Sequence, residues 1–248
     1  MTNKEQKLYR NILWFDNRQQ YEIDYFDLLQ PQRIVSEDSR YRSGTFYSEK
    51  CKRWIQYESN MELDFIKQLE RLENVSFYFE QPVQIPYWRG KRKQTYTPDF
   101  GVYLDTKEFV LVEIKALPSM LEDKVQMKVE ALLNFCSNKG FGLLLSDGHC
   151  TFDKLLKIRN NRKLEKAILN AIDNNILYKN HYKEIVKQCN STYNELFKVI
   201  IKHNLKFRDF PFKLQCGNKN HLFREVFINK RKYEDLTAER FETLFKRK

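Results

Sequence analysis

Three residues set the chemical question. Asp99 follows a proline, Glu113 lies beyond thirteen intervening residues, and Lys115 comes two positions after Glu113. On a strand, side chains alternate between faces, so Glu113 and Lys115 point the same way with Leu111, while Val112 and Ile114 point the other way. A carboxylate and an ammonium at the buried end of so apolar a strand are costly without partners. A hairpin would bring Asp99 alongside them. Glu62 supplies a third carboxylate from the helix expected before these strands. Two or three carboxylates with one lysine suit a hard divalent ion such as Mg²⁺, with Mn²⁺ as a substitute, because these ions take oxygen ligands and Mg²⁺ keeps several of its waters. Such an ion lowers the pKa of bound water and stabilises charge on phosphate oxygens, and the lysine can orient the attacking water. The same spacing could also belong to an edge hairpin with a surface ion pair. Glu62 could equally be the N3 carboxylate of a capping box and nothing more.

The elements that must hold these residues can be read from periodicity. Across residues 58–72, Met61, Phe65, Leu69 and Leu72 recur at helical spacing with Ile66 beside them, and Ser59 with Glu62 forms the capping pattern. Residues 75–87 have β-rich composition interrupted by Pro82. Residues 95–104 and 109–115 read as two strands joined by a turn at 105–108, that is, a hairpin. Leu121, Val125, Val129, Leu132 and Leu133 give a helix over residues 120–136, and Gly140 is its stop signal. Residues 141–146 read as a short buried strand. The order is α, β, β, β, α, β, which predicts an α/β core with a mixed sheet flanked by helices.

Charge divides the chain. Lys and Arg number 44 against 33 Asp and Glu, a net of +11. Residues 1–150 hold 21 cationic and 22 acidic residues, and residues 151–248 hold 23 and 11. The net positive charge therefore resides in the last 98 residues, as expected of a segment that binds a polyanion, most commonly nucleic acid through its phosphates. This divides the chain into an extension at 1–43, a core domain at 44–150 and a basic, mainly helical DNA- or partner-binding domain at 151–248. Within the last, amphipathic spacing marks helices at 152–158 and 162–174. A helix, a short turn at Cys189 and a second helix begun by the Thr192–Glu195 capping box follow at 182–203, with a strand at 223–228 and a helix at 236–245. The pair at 182–203 has the rhythm of a helix-turn-helix, with Ile185, Val186, Leu196, Val199 and Ile200 as its core and Tyr193, Asn194, Lys198 and Lys202 facing out, where a recognition helix meets DNA. An ordinary helical hairpin has the same rhythm, and the turn lacks a glycine.

No apolar run approaches the ~18 residues of a membrane span, and the polar first residues carry no signal-like stretch. Five cysteines without tight spacing fit reduced thiols in a cytoplasmic protein better than a disulfide scaffold. Cys216 and His221 have ligand-like spacing, but no second pair lies near them in sequence.

Asp99 with its preceding proline, followed by Glu113-Ile114-Lys115, resembles the PD-(D/E)xK nuclease core. Ser48-Glu49-Lys50, Tyr57 to Glu62, Phe79-Glu80-Gln81-Pro82, Tyr96 to Phe100 and Val110 to Lys115 are similar, in order, to the N-terminal domain of TnsA-type transposon endonucleases. The resemblance implies a restriction-endonuclease-like fold. It also implies acidic active-site residues at Glu62, Asp99 and Glu113, a catalytic lysine at Lys115, and metal-dependent hydrolysis of double-stranded DNA. Some members of that family carry Gln where this chain has Glu113. The family acts with a DDE transposase, cuts the 5′ strand ends of the element, and carries a C-terminal helical domain that contacts DNA and an ATPase regulator. Phage head-completion nucleases and restriction enzymes share the core. A non-catalytic DNA-binding or assembly protein could retain it as a scaffold.

Overall fold

The computed structural model describes residues 11–22, 43–89, 91–147, 158–173, 176–208 and 213–216. These fall into two compact units, one built on residues up to 115 with 128–147, the other on residues 116–127 with those from 158 onward.

The first unit is a four-stranded mixed sheet in the order β3-β6-β7-β8. β3 (Val75–Glu80), β6 (Phe100–Leu104) and β7 (Phe109–Ile114) run antiparallel in turn, and β8 (Gly142–Ser146) lies parallel to β7. Parallel pairing needs a crossover, and the long helix α3 (Asp123–Lys139), preceded by the short α2 (Leu117–Met120), supplies it. β7 is central and buried along its whole length, which is why it reads as a nearly unbroken apolar run. Leu13 bridges Leu143 through two backbone hydrogen bonds of 2.8 and 2.9 Å, which covers the open edge of β8.

The two faces of the sheet bury different side chains. On one, Phe100, Val102, Leu104, Val110, Val112 and Leu144 pack with Phe65, Ile66 and Leu69 of α1 (Asn60–Glu70). The other is aromatic: Phe77 stacks on Tyr103, Phe79 on Phe109, and Phe109 meets Phe141 edge-on. Gly101 makes room for this layer, since a Cβ there would lie 2.4 Å from the Phe109 ring. Asp99 and Glu113 belong by alternation to the aromatic face, at the end where the aromatic layer stops.

Two hairpins stand outside the sheet: β1 (Gly44–Ser48) with β2 (Arg53–Tyr57), and β4 (Ile85–Arg89) with β5 (Arg92–Tyr96). The second corrects an expectation. Residues 95–104 were expected to form one strand, but Thr97, Pro98 and Asp99 interrupt it, because proline has no N–H to give a ladder. The α, β, β, β, α, β order holds for α1, β3, β6, β7, α3 and β8, with the β4–β5 hairpin inserted.

In the second unit, α4 (Arg162–Ile172), α5 (Lys179–Gln188) and α6 (Tyr193–Lys202) bury Leu164, Ile168, Val186, Leu196, Val199 and Ile200. A small antiparallel sheet, β10 (Lys206–Arg208), β11 (Lys213–Gln215) and β9 (Leu177–Tyr178), accompanies them, which helical periodicity did not reveal. The turn between α5 and α6 needs no glycine because Asn190 takes the left-handed conformation (φ 48°), while Ser191 N–H closes on the Val186 carbonyl at 3.0 Å. The Thr192–Glu195 capping box is formed. The elements expected at 223–228 and 236–245, and nearly all of that at 152–158, lie outside the described residues.

Candidate active site

Asp99 stops the β6–β7 ladder and takes its next bond for itself. The register pairs Phe100 with Val112, so Asp99 comes opposite Glu113. The Ile114 N–H, which a continuing strand would give to a backbone carbonyl, donates instead to Asp99 Oδ2 at 2.6 Å. The Asp99 carbonyl in turn accepts from Gln81 N–H at 2.9 Å. Pro98 and this side-chain capture together fix the carboxyl group at the strand end.

Glu113 is 2% exposed. Burial of a carboxylate demands partners, and Lys115 and Tyr96 supply them. Lys115 Nζ lies 3.2 Å from Oε1, as same-face alternation predicts, and the Tyr96 hydroxyl donates to Oε2. Tyr96 is itself buried, and Lys128 of α3 stands over its ring, 5.2 Å from the centroid. Sequence reasoning placed Tyr96 in a motif without a role. The break at Thr97, Pro98 and Asp99, which separates β5 from β6, is what turns it back onto Glu113.

Glu62 starts α1. Its N–H donates to Ser59 Oγ at 3.2 Å, and its carboxylate accepts from Glu58 N–H at 2.7 Å and from the Ser59 hydroxyl at 2.8 Å. The capping role expected of it is therefore present, with the return bond going to Glu58 N–H. Gln81 Nε2 donates to Glu58 Oε1 at 3.2 Å, which ties this helix start to the segment that holds Asp99. Glu80, beside Gln81, accepts from both terminal nitrogens of the Arg53 guanidinium, at 3.1 and 2.6 Å, and so fastens β2 to β3.

The electrostatics link Glu62 to Asp99, and Asp99 to Glu113 and Lys115. Asp99 is pushed up to about 8, first by loss of solvent and then by the charge of Glu113, against the opposing pull of Lys115 and the Ile114 N–H. Glu62 is pushed up to about 7, by burial and then by the charge of Asp99. Lys115 is raised above its ordinary value, chiefly by Asp99 and then by Glu113 against its own desolvation, so it stays an ammonium. One ammonium does not neutralise three carboxylates.

That deficit of positive charge is what a divalent cation would offset. Among the described residues no three His, Cys, Asp or Glu side chains converge as a ready-made ligand set. Two carboxylates are enough for Mg²⁺, which commonly binds through one or two and keeps water for the rest. Asp99 and Glu113, close enough to hydrogen-bond when one is protonated, fit that requirement. Glu62 adds its charge from the helix start, where it is coupled to Asp99.

A raised carboxyl pKa has a consequence for stability. Asp99 binds its proton more tightly when folded than at its ordinary 3.8, so its contribution is fully present below about pH 4 and is lost as pH rises toward about 8. Glu62 acts in the same direction. In metal-free buffer, the melting temperature of Asp99→Asn should therefore gain on wild type between about pH 4 and pH 8, by about 3 °C or more at the upper end. Thermal scans of both proteins across that range check it; a constant gap would contradict the crowding of Asp99.

In the second unit, Tyr193 and Asn194 are exposed on the first turn of α6. Lys198 donates to the Ile158 carbonyl, and Lys202 pairs with Glu165 at 2.6 Å. The four residues expected on one outward face are thus two open side chains and two engaged ones.

No helix among the described residues is long and apolar enough to cross a membrane. No curated protein matches the chain. Residues 72–146 match the family model described as TnsA-like endonuclease N terminal. That stretch carries β3, both strands of the inserted hairpin, β6, β7, α3 and β8, and with them Asp99, Glu113, Lys115 and Tyr96. The resemblance carried by the sequence motifs is therefore supported over residues 72–146, which are similar to the N-terminal domain of TnsA-like endonucleases.

Proposed function

We propose that the protein is a Mg²⁺-dependent DNA endonuclease that hydrolyses phosphodiester bonds, with Mn²⁺ able to substitute, and that it cuts the 5′ strand ends of a mobile element alongside a DDE transposase. The observation that carries this reading is the Asp99–Glu113–Lys115 cluster, inside a segment similar to the TnsA-like nuclease domain, with Glu62 adding a third carboxylate from outside that segment.

Asp99 and Glu113 would hold the cation, and Glu62 would complete the negative field from the start of α1. When bound, the ion supplies an activated water and offsets charge on the phosphate oxygens. The residues do the rest. The Ile114 N–H fixes Asp99, and the Tyr96 hydroxyl fixes Glu113, so neither carboxylate must reorganise on loading. Lys115, ion-paired yet still 36% exposed, can direct its remaining protons toward water or a phosphate oxygen. The transposase and ATPase regulator come from the family resemblance. The charge of residues 151–248 supports DNA or partner binding by that half, with Tyr193 and Asn194 of α6 as its outward residues in the described part.

The test is incubation of the full chain with an end-labelled DNA duplex in Mg²⁺ and, in parallel, in EDTA. Strand cleavage that requires Mg²⁺ is the expected result. Intact duplex at high enzyme concentration, with and without added transposase, would remove the reading.

A further inference from the structure

The β4–β5 hairpin carries an unbalanced charge that the fold does not use. Residues 81–98 contain Arg89, Lys91, Arg92 and Lys93 and no Asp or Glu, within a first 150 residues whose net charge is −1. All four cations are exposed, and among the described residues none of them makes an ion pair. Trp88 beside them is 57% exposed.

The register gives this charge a direction. Ile85 pairs with Tyr96, Tyr87 with Gln94, and Arg89 with Arg92. These six alternate onto one face of the ribbon. Its base is Tyr96, which donates to Glu113, and its middle is closed by Tyr87 Oη donating to Gln94 Oε1 at 2.6 Å. Its tip is two arginines directly opposite each other. Like charges in directly opposed positions destabilise a ladder, and among the described residues no carboxylate pairs with them. The other face pairs Trp88 with Lys93. At about 3.3 Å per residue, Arg92 lies roughly 13 Å along the strand from Tyr96, or about four nucleotides of a DNA strand at 3.4 Å per phosphate.

The geometry points to the β4–β5 hairpin as a DNA-binding ribbon of the nuclease unit, with Arg89 and Arg92 gripping backbone phosphates about four nucleotides from the bond at Asp99 and Glu113. A two-stranded ribbon fits the major groove, and arginine forks match phosphate oxygens. The identity of the anion as DNA rests on the endonuclease reading, whereas the exposed charge and its register do not.

The test uses the full chain, a fluorescent duplex and EDTA, so that binding is read without cleavage. Arg89→Gln with Arg92→Gln should weaken binding roughly tenfold at moderate salt and lower the slope of log affinity against log salt by about two. The melting temperature should hold or rise slightly, because both side chains are exposed and their mutual repulsion is removed. Arg89→Lys with Arg92→Lys should recover most of the affinity and the slope. Unchanged affinity and slope in the Gln variant, failure of the Lys variant to recover, or no duplex binding by wild type would each overturn the inference. Hairpin-dependent binding by a wild-type protein that never cleaves would instead count against the endonuclease reading and leave the ribbon's role standing.

Discussion

Asp99→Asn should lower single-turnover cleavage by about a thousandfold or more while making the metal-free protein more stable above neutral pH. The two effects share one cause. Asp99 is held opposite Glu113 in a desolvated site, where its carboxyl pKa rises to about 8. Neutralising it removes a repulsion that the folded state otherwise bears. The same substitution removes one of the two carboxylates that would carry the cation, and with it the activated water. The Ile114 N–H still finds an acceptor in the Asn carbonyl, so the strand end keeps its geometry. Cleavage rate and thermal midpoint measured on one preparation check both halves. An inactive variant that is also less stable would mean that Asp99 is a structural carboxylate and that its crowding has been misread.

Lys115→Ala should lose roughly 10²–10³-fold in cleavage and keep its Mg²⁺ affinity. An ammonium only donates, so it cannot be a ligand. Its carboxylate neighbours keep it charged, and its position 3.2 Å from Glu113 puts that charge beside the proposed cation. Loss of Lys115 would raise the negative charge around Asp99 and Glu113, so metal affinity should hold or increase. Lys115→Arg should rescue poorly, because a planar fork does not reproduce a compact ammonium in a tight site. Calorimetric Mg²⁺ titration beside single-turnover cleavage separates the outcomes. Parallel loss of metal binding and activity would remove the assigned role.

Much of this site was legible because alternation on a strand is rigid. Leu111, Glu113 and Lys115 had to share a face, and the hairpin turn at 105–108 had to bring Asp99 near them. The register does this through Phe100 and Val112. Helical spacing placed Phe65, Ile66 and Leu69 against the sheet for the same reason. What was not legible depends on where the chain turns out of a pattern. Pro98 divides what looked like one strand, and only that break lets Tyr96 face Glu113 and lets the basic ribbon project from the site. Half-chain charge sums also hid Arg89 to Lys93, because acids elsewhere in the first 150 residues cancel them. In the second unit a helical wheel placed Lys198 and Lys202 on an outward face, where the structure has both engaged. Their partners, the Ile158 carbonyl and Glu165, lie 40 and 37 residues away and leave no local trace.

The central claim is that phosphodiester hydrolysis occurs at Asp99, Glu113 and Lys115. The most direct measurement is cleavage of supercoiled plasmid in Mg²⁺ by the full wild-type chain and by Glu113→Ala, each checked for folding and for duplex binding in EDTA. The wild type should convert plasmid to nicked or linear forms. The variant should bind duplex as well as wild type and leave the plasmid supercoiled. Equal cleavage by both proteins would place the chemistry elsewhere and contradict the account.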